Sequence, residues 1–339
     1  MLDEVTLTIM KAIAPPFMRL GQINTDYSKQ YYLFARLNAI PLTYLESLSF
    51  HIKRSLPVYR YHTLHLRKLI RTTLQASSAL ERIDADYVII KTLRPYPEDT
   101  IDIDILNLGS TGDYAKMIET LVKEGYKVVN KGPYIMGLRS REGIELDIYN
   151  ELNVNWIIYV DKRKLRPYVK HIRLQSGYTK VLAHEADLLV LIAHSTIKES
   201  YTLGCLLTTL HYIYNSCEDF INKFVLLVKE NSLTVAARWY LTLSTLLCKE
   251  GYGIIPESLI KILSALGGLY HEAYKTFKTK RSPPYACSPS ALLDIIREKL
   301  NDPVFKWSFC KCLINLPGAV FTRTRALINK IYSISGASY

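Results

Sequence analysis

Two hydrophobic periods run along the chain, and the change from one to the other divides it. From Asp3 to about Ala85 apolar residues recur at helical spacing, as in Tyr44, Leu45 and Leu48, then Leu64, Leu69, Ile70 and Leu74. Breaks at Pro15-Pro16, Pro41 and Pro57 predict three or four helices there rather than one rod. Between about Asp86 and Tyr159 the period shortens to two. YVIIKT, IDIDILNL, YKVVN, YIMGLRS and IELDIYNEL read as five strands bounded by Gly, Pro, Asp and Asn. One helix interrupts them at Gly112 to Glu124, with Tyr114, Met117, Ile118 and Leu121 as its apolar stripe and Gly125 as its stop. After the basic run from Asp161 to Arg173 the strand signals fade. The remaining segments read as consecutive helices, broken near Gly251-Tyr252-Gly253, at Arg281 to Ser290 and around Pro317-Gly318. The expected architecture is α+β: an N-terminal helical region over 1–85, a small mixed β-sheet core over 86–160 and a C-terminal α-helical domain over 161–339.

Composition narrows the class. Of 339 residues, 49% are hydrophobic and 22% charged, which excludes a disordered, collagen-like or disulfide-scaffold chain. Lys and Arg outnumber Asp and Glu by 43 to 31, and a net charge of +12 attracts phosphate-bearing partners, although it also serves solubility alone. The six cysteines form no CxxC pair, so a structural zinc site is not expected and the thiols suit a reducing compartment. The longest apolar run, Leu188 to Ala193, falls far short of the ~20 residues that span a bilayer, and the acidic N-terminus lacks a signal-like apolar region. A soluble, cytoplasmic protein without a membrane partner is expected. Only four glutamines occur beside abundant Lys, Tyr and Ile, a bias that suggests a thermophilic source.

The chemistry concentrates in Asp102-Ile103-Asp104. Alternate side chains of a strand share a face, so both carboxylates project together. Like charges this close raise each other's pKa and call for a divalent cation; Mg²⁺, a hard ion with oxygen ligands, suits them. Glu145 and Asp147 share a face in the same way forty residues later. If the two strands are neighbours, three or four carboxylates converge, enough to hold the two ions of a phosphoryl-transfer site. Lys91, Thr92 and Arg94 precede the pair and offer grips for the β- and γ-phosphates of a nucleoside triphosphate. A DxD on a strand can equally be the solvated face of a sheet edge, but the second acidic strand and the preceding cations favour a site.

Over about Tyr87 to Asn155 these residues resemble the DNA polymerase β-like nucleotidyltransferase superfamily, which carries hDhDh on one strand and a third acidic residue on a later one. The pieces are YVIIKT, IDIDIL, the helix ending at Gly125-Tyr126, and LDIYNEL. The resemblance is closest to uncharacterised prokaryotic and archaeal nucleotidyltransferases. It implies Asp102, Asp104 and Asp147 as catalytic metal ligands for two Mg²⁺ or Mn²⁺ ions, with Lys91 near the triphosphate. Glu145 has no clear counterpart. The Gly-Gly or Gly-Ser motif usual before the first acidic pair is replaced here by Lys91-Thr92, which shifts phosphate binding to side chains or weakens catalysis. The implied reaction transfers a nucleoside monophosphate (NMP) from a nucleoside triphosphate (NTP) to an acceptor hydroxyl. RNA is the favoured acceptor, and a protein or small-molecule acceptor, or a binding module with weakened catalysis, is the alternative.

Other motifs leave two readings each. Lys162, Arg163, Lys164, Arg166, Lys170 and Arg173, interleaved with Tyr168 and His171, could follow a nucleic-acid backbone or form a solvated linker. The same holds for Lys275, Lys278, Lys280 and Arg281, and for Arg323 with Arg325. His184 with Glu185 and Asp187, and His194 with Glu199, lack the spacing of a ligand pair and read as satisfied helix residues. His62 and His65, beside Arg67, Lys68 and Arg71, read as part of a basic helix face. Tyr96 or Tyr149 could stack on a base, though most of the 25 tyrosines read as core or interface residues.

Overall fold

The computed structural model describes residues 2–17, 27–174, 177–214 and 216–314. Five helices open the chain: α1 (Glu4–Ala12), α2 (Lys29–Leu37), α3 (Pro41–Ser47), α4 (Phe50–Ser55) and α5 (Pro57–Glu81). Pro41 and Pro57 are the first residues of α3 and α5, where a missing N–H costs nothing, so the prolines that break the pattern also start the next helix.

The central strands follow as β1 (Tyr87–Ile90), β2 (Asp102–Asn107), α6 (Thr111–Lys123), β3 (Lys127–Lys131), β4 (Ile135–Arg139) and β5 (Glu145–Tyr149). A short antiparallel pair, β6 (Leu152–Val154) and β7 (Ile157–Val160), comes next. Then the structure departs from the sequence reading. The residues after 160 are not helical throughout, because β8 (Val169–Leu174) and β9 (Gly177–Leu182) form a hairpin that docks β9 parallel to β1. The result is a seven-stranded mixed sheet in the order β3-β4-β5-β2-β1-β9-β8. Its edge strand β8 carries Lys170, His171 and Arg173. Charged residues on an edge discourage further pairing, and here they masked the strand's alternation.

Helices α7 (His184–Ile197), α8 (Leu203–Ile213), α9 (Glu218–Glu230), α10 (Thr234–Leu247), α11 (Glu257–Ala265), α12 (His271–Thr279), α13 (Pro289–Lys299) and α14 (Pro303–Ile314) complete the described chain. The expected break at Pro317-Gly318 and the pair Arg323 and Arg325 lie outside the described residues. No helix among the described residues is long and apolar enough to cross a membrane.

Strand alternation sorts the sheet's side chains into two cores. Ile89, Ile103, Ile105, Leu146 and Ile148 are sealed against Leu69, Ala76 and Leu80 of α5 and Met117 and Leu121 of α6. Val88, Ile90, Leu106 and Tyr149 face the other way, into a core shared with α7, α8 and α10. Helix α7 runs through that second core with every residue from Ala186 to Thr196 buried. The fold is thus α+β, with the sheet held between helices, and the acidic face of β2 turned toward α7.

Candidate functional site

β2 and β5 lie side by side and parallel, with Asp102 opposite Glu145 and Asp104 opposite Asp147. Neighbouring strands are about 4.8 Å apart, so carboxylates on one face of such a pair must meet. Asp102, Asp104 and Asp147 each bring an oxygen to within 4.8 Å of the others, and they are the one such cluster of acidic, His or Cys ligands among the described residues. Glu145 shares their face but pairs with Arg139 across β4, Nη2 to Oε1 2.5 Å, and so leaves the group. Three carboxylates converge, not four. Opposite Asp147 on β4 stands Gly137, where a Cβ would come within 3.0 Å of Asn130 Cβ and 3.5 Å of Asp147 Oδ1. Glycine there keeps the space beside Asp147 open.

Burial, with Asp104 and Asp147 beside it, pushes the Asp102 carboxyl up to about 7, against the pull of Lys91. Burial and Asp104 push Asp147 up to about 6. A set of oxygen donors whose negative charge is this costly fits a hard divalent cation, which would offset that charge.

Lys91 is the counter-charge. Its Nζ lies 3.1 Å from Asp104 Oδ2, and its side chain is 8% exposed. Its backbone adopts φ +53°, the left-handed region that glycine enters freely and a lysine enters only when its surroundings hold it there. Contacts at both ends of the residue do so. The Lys91 N–H donates to Asp187 Oδ1 at 3.0 Å, and the Asp187 carboxylate also accepts from the Tyr212 hydroxyl at 2.7 Å. At the far end, Lys91 Nζ is 3.4 Å from His194 Nδ1.

His194 Nε2 lies 2.8 Å from Glu199 Oε1, while its Nδ1 faces both Lys91 Nζ and the Tyr159 hydroxyl at 3.1 Å. Burial and Lys91 hold the imidazole down to about 4, so it is neutral at pH 7. A carboxylate cannot donate, so the tautomer follows: Nε2–H donates to Glu199 and Nδ1 accepts from the Tyr159 hydroxyl, while Lys91 Nζ lies 3.4 Å from Nδ1 and 3.5 Å from Nε2. Against partial desolvation, the hydrogen bond from His194 and the cations Lys91 and Lys198 hold the Glu199 carboxyl down to about 2. Lys198 and Lys91 also stand 5.6 Å and 5.7 Å from the centre of the Tyr149 ring.

The residues expected from sequence are therefore only partly gathered. Asp102, Asp104, Asp147 and Lys91 meet. Thr92 turns inward: its hydroxyl accepts the Asp104 N–H at 2.9 Å and donates to the Ile90 carbonyl at 3.1 Å, which orients β2 and leaves no hydroxyl proton for a phosphate. Arg94 does not join the carboxylates and bonds Thr208 Oγ1 at 3.3 Å. Sequence reasoning missed His194, Lys198 and Glu199 as neighbours of the site. The available signal was the spacing of Asp187, His194 and Lys198 on one helical face, flanking the apolar run Leu188 to Ala193.

The basic run also resolves differently. Lys162 is buried and reaches the Gly109 carbonyl at 3.0 Å, Arg163 pairs with Asp161 at 2.8 Å, Lys164 bonds the Glu230 carbonyl at 2.5 Å, and Arg166 pairs with Asp86. Four of its six cations thus serve the fold. His62 and His65 are more than a basic face. Their Nδ1 atoms lie 2.8 Å and 3.1 Å from Asp99 Oδ2, which ties α5 to the segment entering β2.

No family model and no curated protein matches the chain. Among solved structures, it is similar to an antigenic nucleotidyltransferase-like protein from Paracoccidioides brasiliensis, at 14% identity and a TM-score of 0.32 over 48% of this chain and 88% of that one.

Proposed function

We propose that the protein is a divalent-metal-dependent nucleotidyltransferase that moves an NMP from an NTP to an acceptor hydroxyl and releases pyrophosphate. The observation that carries this reading is the convergence of Asp102, Asp104 and Asp147 from two parallel strands beside the buried Lys91. Asp102, Asp104 and Asp147 would hold Mg²⁺ or Mn²⁺, two ions in this proposal, which when bound neutralise charge on the phosphates and acidify the attacking hydroxyl. Asp147 takes the proton of the acceptor hydroxyl as the hydroxyl oxygen bonds the α-phosphorus and the bond to pyrophosphate breaks. Lys91 supplies positive charge for the triphosphate, and the neutral His194, hydrogen-bonded to Glu199, keeps that ammonium directed at the carboxylates. With Thr92 and Arg94 engaged elsewhere, Lys198 is the better second phosphate contact. The division into regions 1–85, 86–160 and 161–339 stands as a proposal, with β8 and β9 tying the third region to the sheet.

The test is transfer of α-³²P-labelled NMP, from each of the four NTPs in turn with Mg²⁺, into total RNA, DNA and protein. Label that disappears in the Asp102→Asn, Asp104→Asn double variant is the expected result and names the acceptor class. Label that survives the double variant, or no label from any NTP in any fraction, would overturn the reading. NTP binding without label would then favour the binding module.

A further inference from the structure

A cavity of about 440 Å³ lies under the segment that joins β1 to β2. Leu66 and Ile70 of α5 and Val181 of β9 give it apolar lining, and Arg94, Lys170, His184 and Tyr212 give it polar lining. Neither the three aspartates nor His194 and Glu199 line it. Lys91 marks the boundary: its ammonium serves Asp104, while its N–H reaches Asp187 on the cavity wall.

Arg94 is the unexplained group. A guanidinium has five N–H donors, yet among the described residues this one has a single hydrogen bond, to Thr208, and no carboxylate within ion-pair distance. The two acids on the wall are already engaged. Asp187 accepts from Lys91 N–H and Tyr212, and Glu98 accepts from the Leu42 and Thr43 N–H groups and the Thr43 hydroxyl. A half-buried arginine with free donors in a walled cavity calls for an anion that presents two oxygens to the guanidinium fork, and phosphate meets that requirement. Lys170 adds charge of the same sign, and burial, with Lys170 nearby, holds His184 below its ordinary range. The His184 and Tyr212 rings stack at 4.5 Å and 8°, which offers an aromatic surface beside the aliphatic wall. The volume lies within the range of small-molecule sites.

We propose that this cavity binds a nucleoside monophosphate, with its phosphate on Arg94 and Lys170 and its base against the His184–Tyr212 stack, at a site separate from the aspartate cluster. The inference does not depend on the transferase reading, since no carboxylate of the cluster takes part.

Calorimetric titration of the full chain in EDTA with AMP, GMP, CMP and UMP, and with adenosine and inorganic phosphate, tests it. At least one monophosphate should bind, and bind at least tenfold more tightly than inorganic phosphate; if that one is AMP, it should also exceed adenosine tenfold. Arg94→Gln should weaken that binding about 10- to 100-fold, the loss of a charge-assisted hydrogen bond. Ile70→Trp, which fills the cavity and spares Arg94, should abolish it, and the Asp102→Asn, Asp104→Asn variant should leave it unchanged. Failure of all four monophosphates to bind, or phosphate binding equally well, overturns the proposal without any variant. Binding that survives Arg94→Gln, or is lost in the double aspartate variant, overturns it as well.

Discussion

At the scale of single residues, the site is set by which charges are allowed to stay unbalanced. Asp102, Asp104 and Asp147 face one buried ammonium, and burial together with the neighbouring carboxylates raises Asp102 to about 7 and Asp147 to about 6. A protonated carboxyl is a poor ligand, so cation binding must release these protons. Mn²⁺ affinity should therefore strengthen as pH rises from 5.5 through 7, approaching tenfold per unit for each proton released, and level off near pH 8. Titration calorimetry at stepped pH would read this, and a flat profile would contradict the shared site. The same shifts act on folding in the opposite sense. Both groups bind protons more tightly folded than unfolded, so their contribution is full below about pH 4 and is lost as pH rises through 6 and 7 in metal-free protein. Lys91 is the residue where sequence was most misleading. Nothing in the local pattern announces that a lysine takes the left-handed backbone conformation there, at φ +53°.

At the scale of elements, the strands that carry the carboxylates were legible because period two is a strong constraint. Ile103 and Ile105 are fully buried between helices, and this forces Asp102 and Asp104 together onto the other face. Helix α6 was legible for the same reason, with Met117 and Leu121 buried and a capping box at Ser110 and Asp113. Its stop is conformational. Gly125 has φ +94°, and a Cβ there would stand 2.6 Å from Arg141 Nη2. Gly125→Ala should cost about 1–2 kcal/mol in urea unfolding, with an unchanged denaturant slope; an unaffected midpoint would mean that the turn can relax. The hairpin of β8 and β9 was not legible. Its alternation is thin, with Lys170, His171 and Arg173 at an edge strand, and local pattern alone cannot distinguish such a strand from a basic linker.

At the scale of the whole molecule, the site exists because a sheet and a helix from distant parts of the chain close on each other. Asp187 and His194 are seven residues apart on α7, about 10 Å along the axis, and both reach Lys91. The helix thus fixes the residue that faces the carboxylates. A cation that bridges those carboxylates binds only the folded protein, so Mn²⁺ at a hundred times its Kd should add about 2.7 kcal/mol and raise Tm by about 4 °C. EDTA should reverse the rise. The Asp102→Asn, Asp104→Asn variant should show no Mn²⁺ shift. An equal Mn²⁺ shift in the variant would place the cation elsewhere.

Sequence by itself determined the pairing of charges within a strand, the α+β order of the central elements and the helix boundaries at Pro41, Pro57 and Gly125, since these depend on neighbours a few residues apart. Only the tertiary structure decided which carboxylates meet, because Glu145 has the right face but finds Arg139 first. It also decided that Arg94 turns toward a separate cavity, and that His194 and Glu199 stand behind Lys91. The physical reason is one of range. Steric and hydrophobic periodicity acts along the chain, whereas the partner of a charge is set by whatever the folded core brings within a few ångströms.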